Sequence, residues 1–307
     1  MLERVGIVEL PAHAGAGGFD HAAVHGPTSR LYVAHTANDA IDIVDLATLR
    51  YVGSIPGLTA VAGALATEAP DIVFTSNRGE DTVAMLRPGD TGRVEKLAVG
   101  IRPNGLAYDR GRSRLLVAHV GDPARPGSCT VSVVDVPARR RLADLPVAGR
   151  TRWTVFDPRA GVFHVNIADP PQIVVVDARE GVALGRVVDI PWAGPHGLDI
   201  DVEGRRLFCA CDAAILVALD ADTGAVLATA SLPSVPDVVF FNATLGRLYV
   251  AVGEPGVIEV FDTAPLRRLQ TVVTEAGAHT LGFDPARHLV CAFLPATHRA
   301  AVYVDRP

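Results

Sequence analysis

Lysine is almost absent from this sequence: Lys96 is the single lysine among 28 lysine and arginine residues. Charge of either sign is sparse as well, because charged residues make up 20% of the chain and the formal net charge is −6 at pH 7. The arginines are scattered, and their longest run is the three residues Arg139–Arg141. The composition therefore gives no reason to expect a nucleic acid or an anionic membrane as a partner.

Long hydrophobic runs are missing too. No apolar stretch approaches the roughly 18 residues that a membrane-spanning helix needs. The first residues, MLERVGIVELPAHAG, lack the apolar core of a signal peptide, so we expect a cytoplasmic protein. Cysteine is scarce and shows no metal-finger spacing, so we expect free thiols in the core at Cys129, Cys209, Cys211 and Cys291.

Glycine and proline, by contrast, are plentiful, with 29 and 22 residues, and apolar residues make up 49% of the chain. This composition suits short strands joined by tight turns. One apolar strand recurs as RLYVAH, DIVFTS, RLLVAH, VFHVN, RLFCAC, RLYVAV and HLVCAF. Its third apolar position falls at Val33, Phe74, Val117, His164, Cys209, Val250 and Cys291, between 41 and 47 residues apart. That period, with about four strands per copy, predicts seven blades of a β-propeller.

The next strand of the repeat ends in aspartate in six copies. We expect these carboxylates to accept backbone N–H bonds in the turn that follows; they are Asp45, Asp135, Asp177, Asp220, Asp262 and Asp305. The seventh copy lacks its fourth strand, and the N-terminal segment RVGIVELP matches the fourth strands of other copies. The sequence thus predicts one all-β domain over residues 1–307, built from four-stranded antiparallel blades, whose N-terminal strand completes the last blade.

These repeated segments resemble the YVTN, or YncE-like, family of seven-bladed β-propellers over essentially the whole chain. The LYV-A-H strands, the strands that end in VD and the spacing of about forty residues carry the resemblance. It implies the architecture and leaves the function open, since propellers include binding proteins, lyases, lactonases and metalloenzymes.

Polar residues recur where the first strand of each blade begins, as in GPHGLDID and GAHTLGFD. Alignment of these segments places one residue per blade at the mouth of the central funnel: Asp20, Ala62, Asn104, Arg152, His196, Asp237 and His279. Asp20, His196, Asp237 and His279 fall on neighbouring blades. Imidazole and carboxylate groups together suit a divalent ion such as Zn²⁺, Mn²⁺ or Fe²⁺, so we expect these four to be metal ligands.

The opposite arc of the mouth holds Asn104 and Arg152, which suit an anionic or carbonyl-bearing substrate. The ends of the second strands add His35, His119 and Asn166. We expect catalytic roles for His35, His119 and Arg152, because histidine transfers protons near neutral pH, and substrate binding by Asn104, Arg152 and Asn166. The alternative for each position is a satisfied polar lining without a ligand.

The segments RPNGLAYD and GPHGLDID are similar to strand starts of gluconolactonase-like propellers, and PHG is similar to virginiamycin B lyase-like and amidating-lyase propellers. This resemblance implies metal binding at Asn104, His196 and Asp237, although the histidines disfavour Ca²⁺. We therefore predict a metal-dependent enzyme for a small molecule, acting by lactone hydrolysis, elimination or isomerisation. Two alternatives are a non-catalytic propeller that binds a ligand or a protein, and a tetrapyrrole or copper site.

Overall fold

A computed structural model of the chain describes residues 1–89 and 94–306. Its strands form seven four-stranded antiparallel sheets, arranged as the blades of a propeller. This confirms the architecture that the repeat predicts. The chain begins with β1 (Leu2–Glu9), which belongs to the last blade.

The first four blades follow in chain order. Blade one holds β2 (Phe19–His25), β3 (Arg30–His35), β4 (Ala40–Asp45) and β5 (Arg50–Pro56); blade two holds β6 (Val61–Glu68), β7 (Asp71–Asn77), β8 (Thr82–Leu86) and β9 (Glu95–Ala98). Blade three holds β10 (Pro103–Asp109), β11 (Arg114–His119), β12 (Thr130–Asp135) and β13 (Arg140–Pro146); blade four holds β14 (Thr151–Asp157), β15 (Val162–Ile167), β16 (Gln172–Asp177) and β17 (Ala183–Asp189).

The remaining blades complete the ring. Blade five holds β18 (Pro195–Asp201), β19 (Arg206–Cys211), β20 (Ile215–Asp220) and β21 (Val226–Ser231); blade six holds β22 (Pro236–Asn242), β23 (Arg247–Val252), β24 (Val257–Thr263) and β25 (Leu266–Val273); blade seven holds β26 (Leu281–Asp284), β27 (Leu289–Leu294) and β28 (Arg299–Asp305). Single-turn 3₁₀ helices, Gly26–Thr28 and Thr36–Asn38, interrupt two turns of blade one. No helix among the described residues could span a membrane.

The N-terminal strand closes the ring, as the sequence predicts. β1 pairs antiparallel with β28 from Leu2 opposite Asp305 to Glu9 opposite Arg299. This pairing satisfies the outer edge of β28, which would otherwise offer unpaired backbone groups to another chain.

Five of the six predicted aspartates behave as turn caps. Asp45, for example, accepts the backbone N–H groups of Ala47 and Thr48, and these bonds are the main reason why its pKa is lowered. The other four caps are Asp135, Asp177, Asp220 and Asp262. Asp305 differs: it stands one position later, because Val304 lies opposite Leu289 as Asp262 lies opposite Arg247. Its fully buried carboxylate binds Arg247, the Tyr249 hydroxyl and the N-terminal amine.

Strand pairing corrects the alignment in three blades. Val33 pairs with Asp42 in blade one, and the residues at the equivalent position are Thr75 in blade two, Val165 in blade four and Ala292 in blade seven. The residues that the apolar pattern selects stand one position earlier: Phe74, His164 and Cys291. The central strands are buried on both faces, so their side chains lack the alternation that would fix the register.

Candidate functional site

The funnel mouth is shaped by β-bulges at the start of the first strands. In blade five, Pro195 pairs with Cys211 and Gly197 with Ala210, so His196 is an extra residue without an opposite partner. Equivalent one-residue slips occur at Asp20, Ala62, Asn104, Arg152 and Asp237. Bulges redirect side chains and are frequent beside active sites. The predicted mouth residues of six blades thus share one backbone feature.

One half of the mouth is organised by Arg78, which follows β7. Its Nη2 lies 3.0 Å from Asp20 Oδ2 and donates a 2.7 Å hydrogen bond to Asn104 Oδ1. Asp20 also lies 3.4 Å from His21 Nε2. Arg78 therefore links blades one, two and three, and it occupies one oxygen of the Asp20 carboxylate.

The other half centres on His196. Its Nδ1 lies 2.8 Å from Asp212 Oδ1, and its Nε2 lies 2.9 Å from Arg152 Nη1 and 3.3 Å from Asp237 Oδ1. Arg152 can only donate, so in this arrangement Nε2 accepts and the proton of a neutral ring is on Nδ1, from where it donates to Asp212. The side chains of His196 and Arg152 keep 16% and 17% of their accessible surface, so a ligand can reach them.

Positive charge accumulates at the mouth. The pKa of Arg150 is lowered, first by burial and then by the charges of Arg152, Arg78 and Arg102. For Asp212, burial acts to raise the pKa, but the hydrogen bond and charge of His196 and the charges of Arg152 and Arg150 outweigh it, so the pKa is lowered. Asp212 therefore stays ionised and holds the imidazole in place.

Two buried donors at the mouth lack partners. Within the described part of the chain, neither Arg78 Nε nor Arg152 Nε has a hydrogen-bond acceptor. Buried guanidinium N–H groups without an acceptor are costly. A ligand that bears carboxylate or phosphate oxygens would satisfy both side chains.

The four residues predicted as metal ligands are only partly brought together. His196 and Asp237 are neighbours at 3.3 Å, whereas Asp20 is paired with Arg78. His279 Nδ1 lies 2.7 Å from the carbonyl oxygen of Gly277 in its own blade. Among residues 1–89 and 94–306, no group of three or more His, Cys, Asp or Glu side chains is arranged to hold a metal ion. As they stand, the side chains do not form a ligand set.

His35 and His119 lie inside their blades and not on the mouth surface. Both are fully buried. His35 Nδ1 lies 2.7 Å from Asp42 Oδ2, and its Nε2 lies 2.7 Å from His13 Nδ1. His119 Nε2 accepts the Gly100 N–H, and its Nδ1 lies 2.8 Å from the Thr130 hydroxyl.

These two histidines begin matching polar rows across their blades. In blade one the row continues from Asp42 to Ser54, and in blade three it continues from Ser132 to Asp144. The third strand thus supplies the acid and the fourth strand the hydroxyl in blade one, whereas in blade three the third strand supplies the hydroxyl and the fourth strand the acid. Leaving a buried polar group without its hydrogen-bond partner costs about 1–3 kcal/mol, so these histidines contribute to stability.

Asn166 is buried between blades four and five. Its Nδ2 donates a 2.9 Å hydrogen bond to the backbone carbonyl of His196. Ser76, at the equivalent position in blade two, donates a 2.7 Å bond to the carbonyl of Asn104. Both residues therefore fix the bulge of the following blade, which makes Asn166 a positioning residue for His196.

The sequence alignment missed Arg78 and Asp212. Each directly follows the last residue of a second strand, Asn77 or Cys211, but only two blades carry a charged residue there that reaches the mouth. The loops after the second strands do not repeat, so no periodic signal marks them. His21, which follows Asp20, is buried against Trp153, with ring centroids 4.1 Å apart.

Comparison with known proteins supports the fold alone. No family model and no curated protein matches the chain. Among solved structures, hydrazine synthase of Kuenenia stuttgartiensis is similar, with a TM-score of 0.81 and 13% sequence identity over 94% of this chain and 96% of that chain. At this identity the likeness concerns the propeller architecture and not the chemistry.

Proposed function

We propose that the protein is an enzyme for a small anionic molecule, with its active site at the funnel mouth. One observation carries the proposal: Asp212 orients His196 while Arg152 faces the other ring nitrogen, at a site that solvent reaches. A carboxylate holding one nitrogen of an imidazole is the usual arrangement for a histidine that transfers protons.

Arg152 and Arg78 bind the anionic group of the substrate. Each has an Nε–H group without an acceptor in the described protein, and a guanidinium group binds carboxylate oxygens in a fixed geometry. When Arg152 turns toward the substrate, its hydrogen bond to His196 Nε2 is released. The same event that binds the anion therefore exposes the proton acceptor.

His196 then removes a proton from the substrate or from a water molecule. The imidazolium that forms is stabilised by Asp212 at Nδ1 and by Asp237, whose Oδ1 lies 3.3 Å from Nε2. Proton removal of this kind serves elimination, isomerisation and the hydrolysis of a lactone that bears an acidic group.

The proposal is tested by screening wild-type protein for acid release from lactones and for elimination of hydroxycarboxylates. Replacing His196 with asparagine, or Asp212 with asparagine, should lower kcat about 100-fold or more. Arg179→Gln is the matched control, because Arg179 is an exposed arginine of blade four that pairs with the turn residue Asp177. Equal loss in all three variants would argue against a specific role for His196.

If the enzyme uses a metal ion, the only support for its site is the 3.3 Å distance between His196 Nε2 and Asp237 Oδ1. Arg152 bonds His196 and Arg78 bonds Asp20, and both cations oppose a divalent ion at those groups. Metal analysis by inductively coupled plasma mass spectrometry, on wild-type protein and on a His196→Ala/His279→Ala variant, tests for this metal site. Stoichiometric metal that disappears in the variant would support it.

The alternative is a non-catalytic propeller that binds a ligand or protein across the same face. Membership of the YncE-like family, which the repeated segments suggest, is compatible with either function. Ligand binding without any turnover, unaffected by His196→Asn, would favour this alternative.

A further inference from the structure

A central cavity of about 540 Å³ lies below the mouth, enclosed by the first strands. This volume is within the range of small-molecule sites. Its lining begins at His21 and Trp153, just beneath the mouth ring, and reaches Glu68 and Arg110 at the far ends of the first strands. Those two far residues are exposed. The cavity therefore opens on the face opposite the mouth and is a separate site.

One carboxylate interrupts the otherwise apolar wall at mid-depth. Strand pairing places one residue of each blade at this level: Ala23, Leu65, Ala107, Val155, Asp199, Phe240 and Gly282. The first six line the cavity, and so does Phe283, which follows Gly282. Asp199 is the only ionisable residue of this ring.

The carboxylate of Asp199 is bound by two backbone groups. Its Oδ1 accepts the N–H of Ile200 at 2.8 Å, and its Oδ2 accepts the N–H of Phe241 at 2.7 Å. Each oxygen retains capacity for a further hydrogen bond or ion pair. Burial raises the pKa of Asp199 to about 6, so most molecules carry the negative charge at pH 7.5.

Aromatic rings from three other blades surround this level of the cavity. Trp153 comes from blade four, Phe240 from blade six and Phe283 from blade seven, while Asp199 comes from blade five. The Trp153 and Phe240 ring centroids are 6.2 Å apart, and those of Phe240 and Phe283 are 6.0 Å apart. Aromatic faces and a carboxylate both attract organic cations.

We propose that the central cavity binds an organic ammonium ion, either quaternary or a protonated amine, through Asp199, Trp153, Phe240 and Phe283. An anion would be repelled by the carboxylate, and a purely apolar molecule would leave it without a counter-charge. A divalent metal ion would find one carboxylate among apolar walls, which is too few oxygen ligands.

Binding in the cavity can be measured by intrinsic tryptophan fluorescence. Trp153 lines the cavity, and Trp192 is the only other tryptophan. In a Trp192→Phe protein, fluorescence therefore reports on Trp153 alone. The probes are choline and benzyltrimethylammonium, each compared with the uncharged molecule in which carbon replaces the nitrogen, such as 3,3-dimethyl-1-butanol for choline.

At least one cation should change the fluorescence saturably and bind about tenfold or more tightly than its uncharged counterpart. Asp199→Asn should remove that difference, and Phe240→Leu should weaken cation binding about threefold. Asp237→Asn, at the mouth, should leave it unchanged. Equal binding of charged and uncharged probes to the Trp192→Phe protein, or no saturable binding of either cation at millimolar concentration, would overturn the proposal.

The outcome is independent of the proposed enzyme activity. Choline carries no acidic group for Arg78 or Arg152, and the mouth variants do not touch the cavity wall. Loss of turnover in His196→Asn with retained choline binding, or the converse, would therefore assign each result to its own site.

Discussion

At the scale of single residues, burial makes the stability of the protein depend on pH in opposite directions through Asp199 and His119. Burial raises the pKa of Asp199 to about 6 and lowers that of His119 to about 4. Asp199 is at the wall of a cavity, whereas His119 is enclosed in its blade. Over overlapping pH ranges the two contributions partly cancel in the wild-type protein, so only variants separate them.

For Asp199, the folded protein binds a proton more tightly than the unfolded chain does. Its contribution to the free energy of unfolding is therefore present near pH 4 and is lost as the pH rises through about 6. The size is at most about 3 kcal/mol, and less if water enters the cavity. Urea unfolding of wild type and Asp199→Asn between pH 4 and 8 should show the variant gaining relative stability with pH. A constant difference would contradict this.

For His119 the pH dependence of stability is reversed, because its imidazole takes up a proton near pH 6.5 in the unfolded chain but only near pH 4 in the folded protein. Stability is lost as the pH falls through this window, by at most about 3 kcal/mol. His119→Gln does not titrate and should lose less stability between pH 6.5 and 4 than wild type. Parallel curves for the two proteins would show that His119 does not cause the loss.

At the scale of single elements, the bulged strand starts depend on close contact between blades. A Cβ atom added at Gly197 would overlap the backbone carbonyl oxygen of Asp237 in the next blade. In the same way, a Cβ atom at Gly63 would overlap the carbonyl oxygen of Asn104, and one at Gly105 would overlap that of Arg152. Each glycine thus lets its blade approach the neighbour whose mouth residue it supports.

Gly197→Ala should therefore cost about 1–3 kcal/mol of stability and displace Asp237. Gly53→Ala is the matched control, since it also lies in a strand but has no atom within 4 Å of the added Cβ, and its effect should stay within about 0.5 kcal/mol. Thermal unfolding of both variants measures the difference. Equal melting temperatures would mean that the blades can separate at this point without cost.

The elements also show what a sequence of this kind can predict. The blade count and the role of β1 follow from the repeat, because every blade needs the same strands to bury the same faces. The register of β7, β15 and β27 does not follow, because these strands are buried on both faces. Arg152, His196 and Asp237 could be placed at strand starts because those segments recur in the sequence. Arg78, Asp212 and Asp199 each occur once, and only the folded ring shows what they face.

At the scale of the whole molecule, Asp305 lies where the two ends of the ring meet. Its carboxylate joins the N-terminal amine to Arg247 and Tyr249 of blade six. In blade six, Asp262 caps a turn and pairs with exposed Arg267; strand pairing gives it the place in the repeat that Val304, not Asp305, has in blade seven. Variants of Asp305 and Asp262 can therefore distinguish a role in ring closure from a role in turn capping.

Asp305→Ala should accordingly cost about 3 kcal/mol or more, since it leaves Arg247 and the Tyr249 hydroxyl without their buried acceptor. Asp262→Ala should cost about 1 kcal/mol, as the loss of a turn cap does. Chemical denaturation of both variants checks the ranking. A cost for Asp262→Ala as large as that for Asp305→Ala would show that the closing blade is held elsewhere, for example by the β1–β28 backbone pairing alone.

The central claim, that the mouth recognises an anionic small molecule through Arg78 and Arg152, is tested most directly by calorimetric titration. Hydroxycarboxylates and the lactones of dicarboxylic acids are titrated into wild type, an Arg78→Gln/Arg152→Gln variant and the Arg179→Gln control. We predict saturable binding of at least one carboxylate to wild type and to the control, weakened about 100-fold in the double variant. Binding of equal strength in all three proteins, or none to the wild type, would contradict the account.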